Sequence, residues 1–129
     1  MATATGTWAA DELLRIDGAT ELRVASQRED GSLRPYTTIW HATVGDALYL
    51  RSAHGPENGW FRRALRSGAG RVSAGGVEKD VVFELAGPAV RDELDAALHA
   101  KYDRFGPGPV GAITGPDVLS TTLRVLPRG

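Results

Sequence analysis

Three two-residue loops constrain the fold of this chain more than any other feature. They are Asp30-Gly31, Gly45-Asp46 and Gly75-Gly76, and each separates two stretches rich in β-branched and aromatic residues. Loops of this composition accept the positive φ angles of tight hairpin turns, so each is expected to join neighbouring antiparallel strands. The first two loops follow one another closely and therefore predict an antiparallel meander of three strands.

Strand-like stretches recur along the rest of the chain, and the complete set is 21–29, 32–44, 47–52, 70–74, 77–87 and 117–127. Helical spacing of apolar residues instead marks residues 8–16, 57–68 and 88–105. Asn58 is the expected N-cap of the second helix, and Gly68 and Gly106 are expected to end the second and third helices. The order is that of hairpins and predicts an α+β fold, an antiparallel split β-barrel of about six strands with three helices outside it.

The length of the chain, 129 residues with 42% hydrophobic residues, suits one compact domain. We therefore expect a single domain over residues 1–129, in which residues 1–7 form a flexible N-terminal tail. These first residues lack the basic and apolar segments of a secretion signal, and no apolar run approaches the roughly 20 residues that a membrane span needs. A cytoplasmic location is the expectation.

Several kinds of catalytic site do not fit the sequence. There is no cysteine, and the three histidines, His41, His54 and His99, do not have the spacing of metal ligands. No phosphate-binding loop, dinucleotide-binding glycine pattern or serine nucleophile motif occurs. If the chain is an enzyme, we expect a bound cofactor or simple acid-base groups to supply its chemistry.

Positive charge is concentrated in one part of the chain. The formal net charge is -1, which argues against a general nucleic-acid or membrane binder. Residues 32–71 nevertheless carry +4, because Asp46 and Glu57 oppose six arginines, at positions 34, 51, 62, 63, 66 and 71. This segment predicts an anion site, in which Arg51 and Arg63 are expected to contact the anion and Arg66 to matter less. The alternative is a surface of mixed charge in a chain that prefers arginine to lysine.

The turns also predict which strand residues share a face. One face should be the barrel interior, and with the later strands it predicts seven buried residues: Leu22, Val24, Ile39, Leu48, Leu50, Val82 and Leu123. The other face of the meander should carry a mixed aromatic and basic set: Arg34, Tyr36, Thr38, Trp40, Tyr49 and Arg51. In this register Gln27 faces Arg34 and Trp40 faces Arg51, which would allow a cation-π contact.

The mixed face has two interpretations. It can be a surface for an anionic or aromatic ligand, a second subunit, or both. It can also be a packed face beneath the long third helix. On that helix we expect Tyr102 to pack in the core and Lys101 to lie at its border.

The stretches "TTIWHATVGDALYLRSAHG", "GWFRRAL", "GRVSAGG", "AALHAKYDRF" and "TTLRVLP" together resemble an uncharacterised bacterial family of split-barrel proteins. That family is related to flavin- and deazaflavin-dependent oxidoreductases and to pyridoxamine phosphate oxidase. The resemblance extends from Trp8 to Pro127. It implies an FMN-binding type of split barrel, a homodimer, and FMN or deazaflavin sites at the subunit interface.

The resemblance also implies a set of cofactor-binding residues. The ring would be bordered by Thr37, Thr38, Ile39 and Trp40. The phosphate would lie near Arg51, Ser52, His54, Gly55, Trp60 and Arg63. The stretch "SAHGPENGWFRR" departs from pyridoxamine phosphate oxidase, because it lacks a clear serine-arginine-lysine clamp after the third strand.

Two functions remain open at this point. The first is a flavin- or deazaflavin-dependent oxidoreductase that acts on a small organic molecule at a dimer interface. The second is a cofactor-free split-barrel protein that binds, or converts without oxidation, an anionic or aromatic small molecule. A purely structural dimer would leave the arginine cluster unexplained.

Overall fold

A computed structural model describes residues 6–51, 59–86, 88–106 and 122–128 of the chain. The helices are α1 (Ala10–Gly18), α2 (Gly59–Ser67) and α3 (Arg91–Tyr102), and short 3-10 turns flank α3 at Pro88–Val90 and Asp103–Phe105. The strands are β1 (Leu22–Ser26), β2 (Thr37–Ile39), β3 (His41–Val44), β4 (Ala47–Arg51), β5 (Ala69–Ala74), β6 (Val77–Leu85) and β7 (Thr122–Pro127). Within these ranges, no helix is long and apolar enough to cross a membrane.

The strands form one antiparallel sheet in the order β2-β1-β5-β6-β7-β4-β3. Its two edge strands, β2 and β3, are consecutive in the chain and are separated by Trp40 alone. The chain itself therefore joins the two edges, and the sheet is a nearly closed split barrel, as the turns predict. Seven strands are described where about six were expected, because the predicted strand 32–44 divides at Trp40 and its halves pair with different neighbours.

The second hairpin has the predicted register, with Ala42 opposite Tyr49. The first hairpin has it only in part. The pairs far from its turn are confirmed, namely Leu22 with Ile39 and Val24 with Thr37. Near the turn, however, Gln27 pairs with Leu33 and not with Arg34.

The shift in the first hairpin comes from its turn. The Arg28 N–H donates to the Ser32 carbonyl (2.7 Å) and the Gly31 N–H to the Arg28 carbonyl (3.0 Å), with Gly31 at φ +90°. These bonds define a three-residue loop with a glycine bulge, where a two-residue turn was expected. One extra residue between Leu33 and Thr37 restores the predicted register farther along.

The barrel interior holds the main apolar core. Five of the seven predicted core residues are buried there, namely Leu22, Val24, Leu48, Leu50 and Leu123, and Ile39 is half-buried against them. The prediction for Val82 is wrong, since Val82 is half-buried while its neighbours Val81 and Phe83 are buried. Strand alternation permits only one of two adjacent valines to face inward, and the Gly75-Gly76 turn sets that choice in favour of Val81.

A second apolar cluster lies between the sheet and α3. It consists of buried Ala42, Leu94, Leu98 and Tyr102 with partly buried Trp40, Val44, Tyr49, Val90 and Ala97 packed on them. The Trp40 and Tyr102 rings stack, with centroids 4.2 Å apart and planes 7° from parallel. For Trp40 and Tyr49, the interpretation as a packed face beneath the long helix is therefore confirmed.

Arg51 is also part of this packed layer. Its side chain is bonded to the Asp95 carboxylate of α3, and its Nε donates to Thr122 Oγ1 (3.0 Å). The predicted cation-π contact with Trp40 is wrong, because α3 supplies a carboxylate for the arginine and an aromatic ring for the tryptophan. Arg51 is 3% exposed.

Candidate anion-binding site

A cleft of about 720 Å³ lies between the first hairpin turn and α2. Its lining is Gln27, Arg28, Glu29, Asp30, Arg34, Arg63, Arg66 and Ser67. Four arginines and two acids give this lining a formal charge of +2, in a chain whose net charge is -1. Such a concentration of guanidinium groups favours an anionic ligand.

Helix α2 supplies two of these arginines. Trp60, Phe61 and Ala64 are buried and fix the helix to the barrel. Arg63 and Arg66 are three positions apart, so they lie on the same side of the helix, and both are exposed. The alternation of buried aromatic and exposed basic residues in "GWFRRALRS" thus orients the arginines toward the cleft.

The Arg63 guanidinium folds back over the first turn of α2. A Cβ atom placed on Gly59 would lie 2.8 Å from Arg63 Nη1. Any side chain at position 59 would therefore displace this guanidinium from its present position. Gly59 allows the positive group to lie directly against the beginning of the helix.

The first hairpin supplies the other two arginines. Arg28 Nη1 donates to the Leu33 carbonyl (3.1 Å), which holds this side chain along its own turn. Asp30 accepts hydrogen bonds from the Ser32 hydroxyl (2.6 Å) and the Ser32 N–H (2.9 Å), and these bonds lower the pKa of its carboxyl group. Asp30 therefore serves mainly to shape the turn.

The other three arginines of the cleft have no carboxylate partner within the described residues. Among the residues that the structure describes, Arg34, Arg63 and Arg66 form no ion pair. Their donors face a shared open volume. This set of guanidinium groups is the strongest candidate for a ligand site in the described part of the chain.

The cofactor-binding residues expected from the family resemblance do not gather in one place. Arg63 lines the arginine cleft, whereas Arg51 is buried beneath α3. Trp60 belongs to the barrel core. Ser52, His54 and Gly55 lie outside the described residues, as does the predicted N-cap, Asn58.

The four residues expected at the ring are also dispersed. Thr38 lines a separate groove of about 350 Å³ beside Arg23 and Ser73. Thr37 is half-buried in β2, Ile39 packs on the barrel core, and Trp40 lies beneath α3. Their assignment as cofactor ligands stays a prediction.

A second polar cluster, which the sequence reasoning did not anticipate, lies along the outer edge of β3. The His41 N–H donates to the Tyr102 hydroxyl (3.1 Å), whose own proton is within reach of the carbonyls of Thr20 (2.8 Å) and His41 (3.0 Å). The Thr43 N–H donates to Asp17 Oδ1 (3.3 Å). Side chains of the helical elements therefore satisfy backbone groups that a neighbouring strand would otherwise pair.

The titratable groups of this β3 edge are shifted by burial. Desolvation raises the pKa of Tyr102 to about 12, so its hydroxyl stays a neutral donor. Desolvation and the nearby Lys101 charge lower the pKa of His41 to about 4. His41 Nε2 lies 2.6 Å from the Ile16 carbonyl, and the buried Nδ1 has no hydrogen-bond partner among the described residues. Neutral His41 thus carries its proton on Nε2.

Among the described residues, no three histidine or acidic side chains gather where they could hold a metal ion. The arginine cleft therefore remains the main candidate, and comparison with known proteins bears on its interpretation. The model of a bacterial family described as "Uncharacterized protein conserved in bacteria (DUF2255)" matches residues 12–125. The chain belongs to this family. A search among curated proteins finds no match.

Solved structures share the fold across nearly the whole chain. A proposed pyridoxamine 5'-phosphate oxidase from Listeria innocua superposes with a TM-score of 0.63 and 14% identity, covering 91% of this chain and 90% of that one. A FAD-binding protein from Mesorhizobium loti has a TM-score of 0.56 and 20% identity, with 97% and 94% covered. An F420 reductase has a TM-score of 0.53 and 16% identity, with 89% and 90% covered. At these identities the comparison establishes the split-barrel fold.

Proposed function

We propose that this protein binds a flavin- or deazaflavin-type cofactor through the arginine cleft, and that it acts as an oxidoreductase on a small organic molecule. The observation that carries the proposal is the group of three arginines, Arg34, Arg63 and Arg66, that face one cleft without ion-pair partners in the described structure. The fold neighbours described as FAD-binding and as an F420 reductase support a cofactor of this type. A cytoplasmic location remains part of the proposal.

The cleft fits one end of such a cofactor. Guanidinium groups form paired, charge-assisted hydrogen bonds with phosphate oxygens, and the cleft offers several of them within one volume. The described lining contains no aromatic or aliphatic side chain against which a flavin ring could pack. We therefore assign the phosphate to the cleft and place the ring outside its described lining.

A second subunit is the proposed cover for the ring. Leu65 lies on α2 next to Arg66 and is exposed, so an apolar side chain stands close to the proposed phosphate site. A homodimer that covers this region would enclose the ring and exclude water from it. Light scattering at micromolar concentration should give the mass of a dimer, and a monomer in the presence of bound cofactor would contradict this part of the proposal.

The cofactor and the protein side chains have different roles in the proposed reaction. A bound flavin or deazaflavin supplies hydride transfer, which no side chain of this chain can perform. The arginines bind the phosphate and so fix the position of the cofactor relative to the protein. Arg66 should contribute as much as Arg63, contrary to the expectation from sequence, because both line the cleft. Arg51 is paired with Asp95 and has no place in this assignment.

Titration of FMN and of a deazaflavin such as F420 into single-arginine variants tests the proposal. Arg34→Ala, Arg63→Ala and Arg66→Ala should each weaken binding by roughly 1.5–3 kcal/mol per charged hydrogen bond lost, or about 10- to 150-fold. Arg62→Ala is the matched control, since Arg62 is exposed on the same helix and does not line the cleft. Equal affinity in all four variants would refute the phosphate assignment.

The polar lining of the cleft also favours the cofactor-free alternative, in which a small anion is the whole ligand. The same variants separate the two functions if pyrophosphate is titrated beside the flavins. Binding of pyrophosphate that depends on Arg63, without binding of any flavin, would favour the cofactor-free function.

A further inference from the structure

Lys101 occupies an unusual position for a lysine. The chain has two lysines, Lys79 and Lys101, against 13 arginines. The Lys101 side chain is 15% exposed, and its Nζ lies 3.2 Å from His41 Nε2 and 3.9 Å from Asp17 Oδ1. Lys101 Nζ also lies over the Tyr102 ring, 5.4 Å from its centroid.

The hydrogen bond of His41 determines what Lys101 meets. His41 Nε2 and the Ile16 carbonyl oxygen are 2.6 Å apart, a distance that requires a proton between them, because two lone pairs would repel. The nitrogen nearest to Lys101 is therefore a donor. The single Nε2 proton is already directed at the Ile16 carbonyl, so His41 offers no acceptor to Lys101. An ammonium group, which has three donors to satisfy and no acceptor, therefore gains no hydrogen bond from this neighbour.

The surroundings of Lys101 also disfavour its ammonium form. The pKa of Lys101 is lowered to about 8, because burial, the largest effect, outweighs the opposing charge of Asp17 and the charge of Arg104 acts in the same direction as burial. The groups around the amine are thus His41 on β3, Asp17 on α1, and Tyr102 and Arg104 in the α3 region. At pH 7 roughly one-tenth of Lys101 is the free amine, which is the nucleophilic form.

We propose that Lys101 is a nucleophilic site that forms an imine with small aldehydes or ketones. The Nζ lone pair attacks the carbonyl carbon and forms the C–N bond. The carbonyl oxygen then leaves as water with the two amine protons, and no oxidant or reductant is needed. When the imine takes up a proton, the iminium has the charge of the original ammonium and faces Asp17, whose 47% exposed side chain lies toward solvent. The limited exposure of Lys101 restricts the site to small carbonyl compounds.

Reductive alkylation of the wild-type protein tests this site. The protein is treated at pH 7 with propanal and cyanoborohydride, which reduces an imine to a stable secondary amine, and peptide mass spectrometry follows each lysine. Lys79 is the internal control, since its side chain is 37% exposed and its Nζ lies 2.8 Å from Glu12 Oε2. Lys101 should be alkylated at least about tenfold faster than Lys79, because an amine of pKa about 8 is roughly one-tenth neutral at pH 7.

Two further readouts identify the cause of the difference. The rate at Lys101 should rise from pH 6 through pH 8 and level off above about pH 9, as an amine of pKa about 8 requires. In Lys101→Arg the fast reaction should disappear and the Lys79 rate should stay the same. Alkylation of Lys79 at an equal or greater rate than Lys101 at pH 7 would overturn the proposal, whether or not the protein binds a flavin.

Discussion

Replacing Tyr102 by phenylalanine removes the hydroxyl group that hydrogen-bonds to the edge of β3. The Tyr102 hydroxyl accepts the His41 N–H and can donate to the carbonyls of His41 and Thr20. His41 is fully buried, so its backbone N–H cannot form a hydrogen bond with water when the hydroxyl is absent. The phenyl ring can still stack on Trp40, and the apolar packing is retained.

The expected loss in the free energy of unfolding is about 2 kcal/mol, since an unsatisfied buried donor costs roughly 1–3 kcal/mol. For a domain of this size, that corresponds to a decrease in Tm of about 8 °C. Urea unfolding followed by tryptophan fluorescence measures the change. The slope of the unfolding free energy against urea should stay constant, because the surface exposed on unfolding is unchanged.

The chain offers two matched controls for this change. Tyr36 is exposed and its hydroxyl donates to Glu78 (3.1 Å), so Tyr36→Phe should change stability by less than about 0.5 kcal/mol. Tyr49→Phe removes a hydroxyl that makes no hydrogen bond in the described structure and should have a similarly small effect. If Tyr102→Phe were as stable as either control, the closure of the β3 edge by Tyr102 would be refuted.

Two further predictions concern buried titratable side chains. The pKa of His41 is about 4 in the folded protein and near 6.5 when unfolded, so its stabilising contribution is present above pH 6.5 and is lost as pH falls toward 4. In urea titrations, His41→Leu should remove on the order of 3 kcal/mol of this pH dependence of the free energy of unfolding. An unchanged pH dependence in the variant would contradict the assignment of this effect to His41. Asp95→Ala should lower the free energy of unfolding by about 2 kcal/mol because buried Arg51 loses its charged hydrogen bond to α3, whereas Glu93→Ala, an exposed change on the same helix, should have little effect.

Local sequence was sufficient for most of the fold. The glycine turns and the spacing of apolar residues predict the order of strands and helices, because turn geometry and side-chain periodicity are short-range properties. The wrong loop length predicted for the first hairpin shows the limit of local sequence, since a three-residue loop and a two-residue loop both suit "REDGS". Only the bonds from Arg28 and Gly31 distinguish them. The division of one strand at Trp40 depends on barrel closure, which is a property of the whole sheet.

The candidate site was less predictable because it depends on contacts between distant segments. Arg51 belongs to the basic segment, but its partner Asp95 lies on a helix 44 residues later in the chain. Arg28 joins Arg63 and Arg66 only because the first hairpin turn lies beside α2. The concentration of arginines between residues 32 and 71 predicts an anion site, which stays a prediction. Of the two arginines predicted to contact the anion, Arg51 and Arg63, Arg63 alone lines the cleft.

A comparison of FMN with riboflavin tests the central claim most directly, because the two molecules differ only in the phosphate. Fluorescence titration of each ligand into the wild-type protein gives both dissociation constants under the same conditions. If the arginine cleft holds the phosphate, FMN should bind at least about tenfold more tightly than riboflavin, and this preference should shrink in Arg63→Ala. Equal affinity for the two ligands, or no binding of FMN together with none of a phosphate-bearing deazaflavin, would contradict the account.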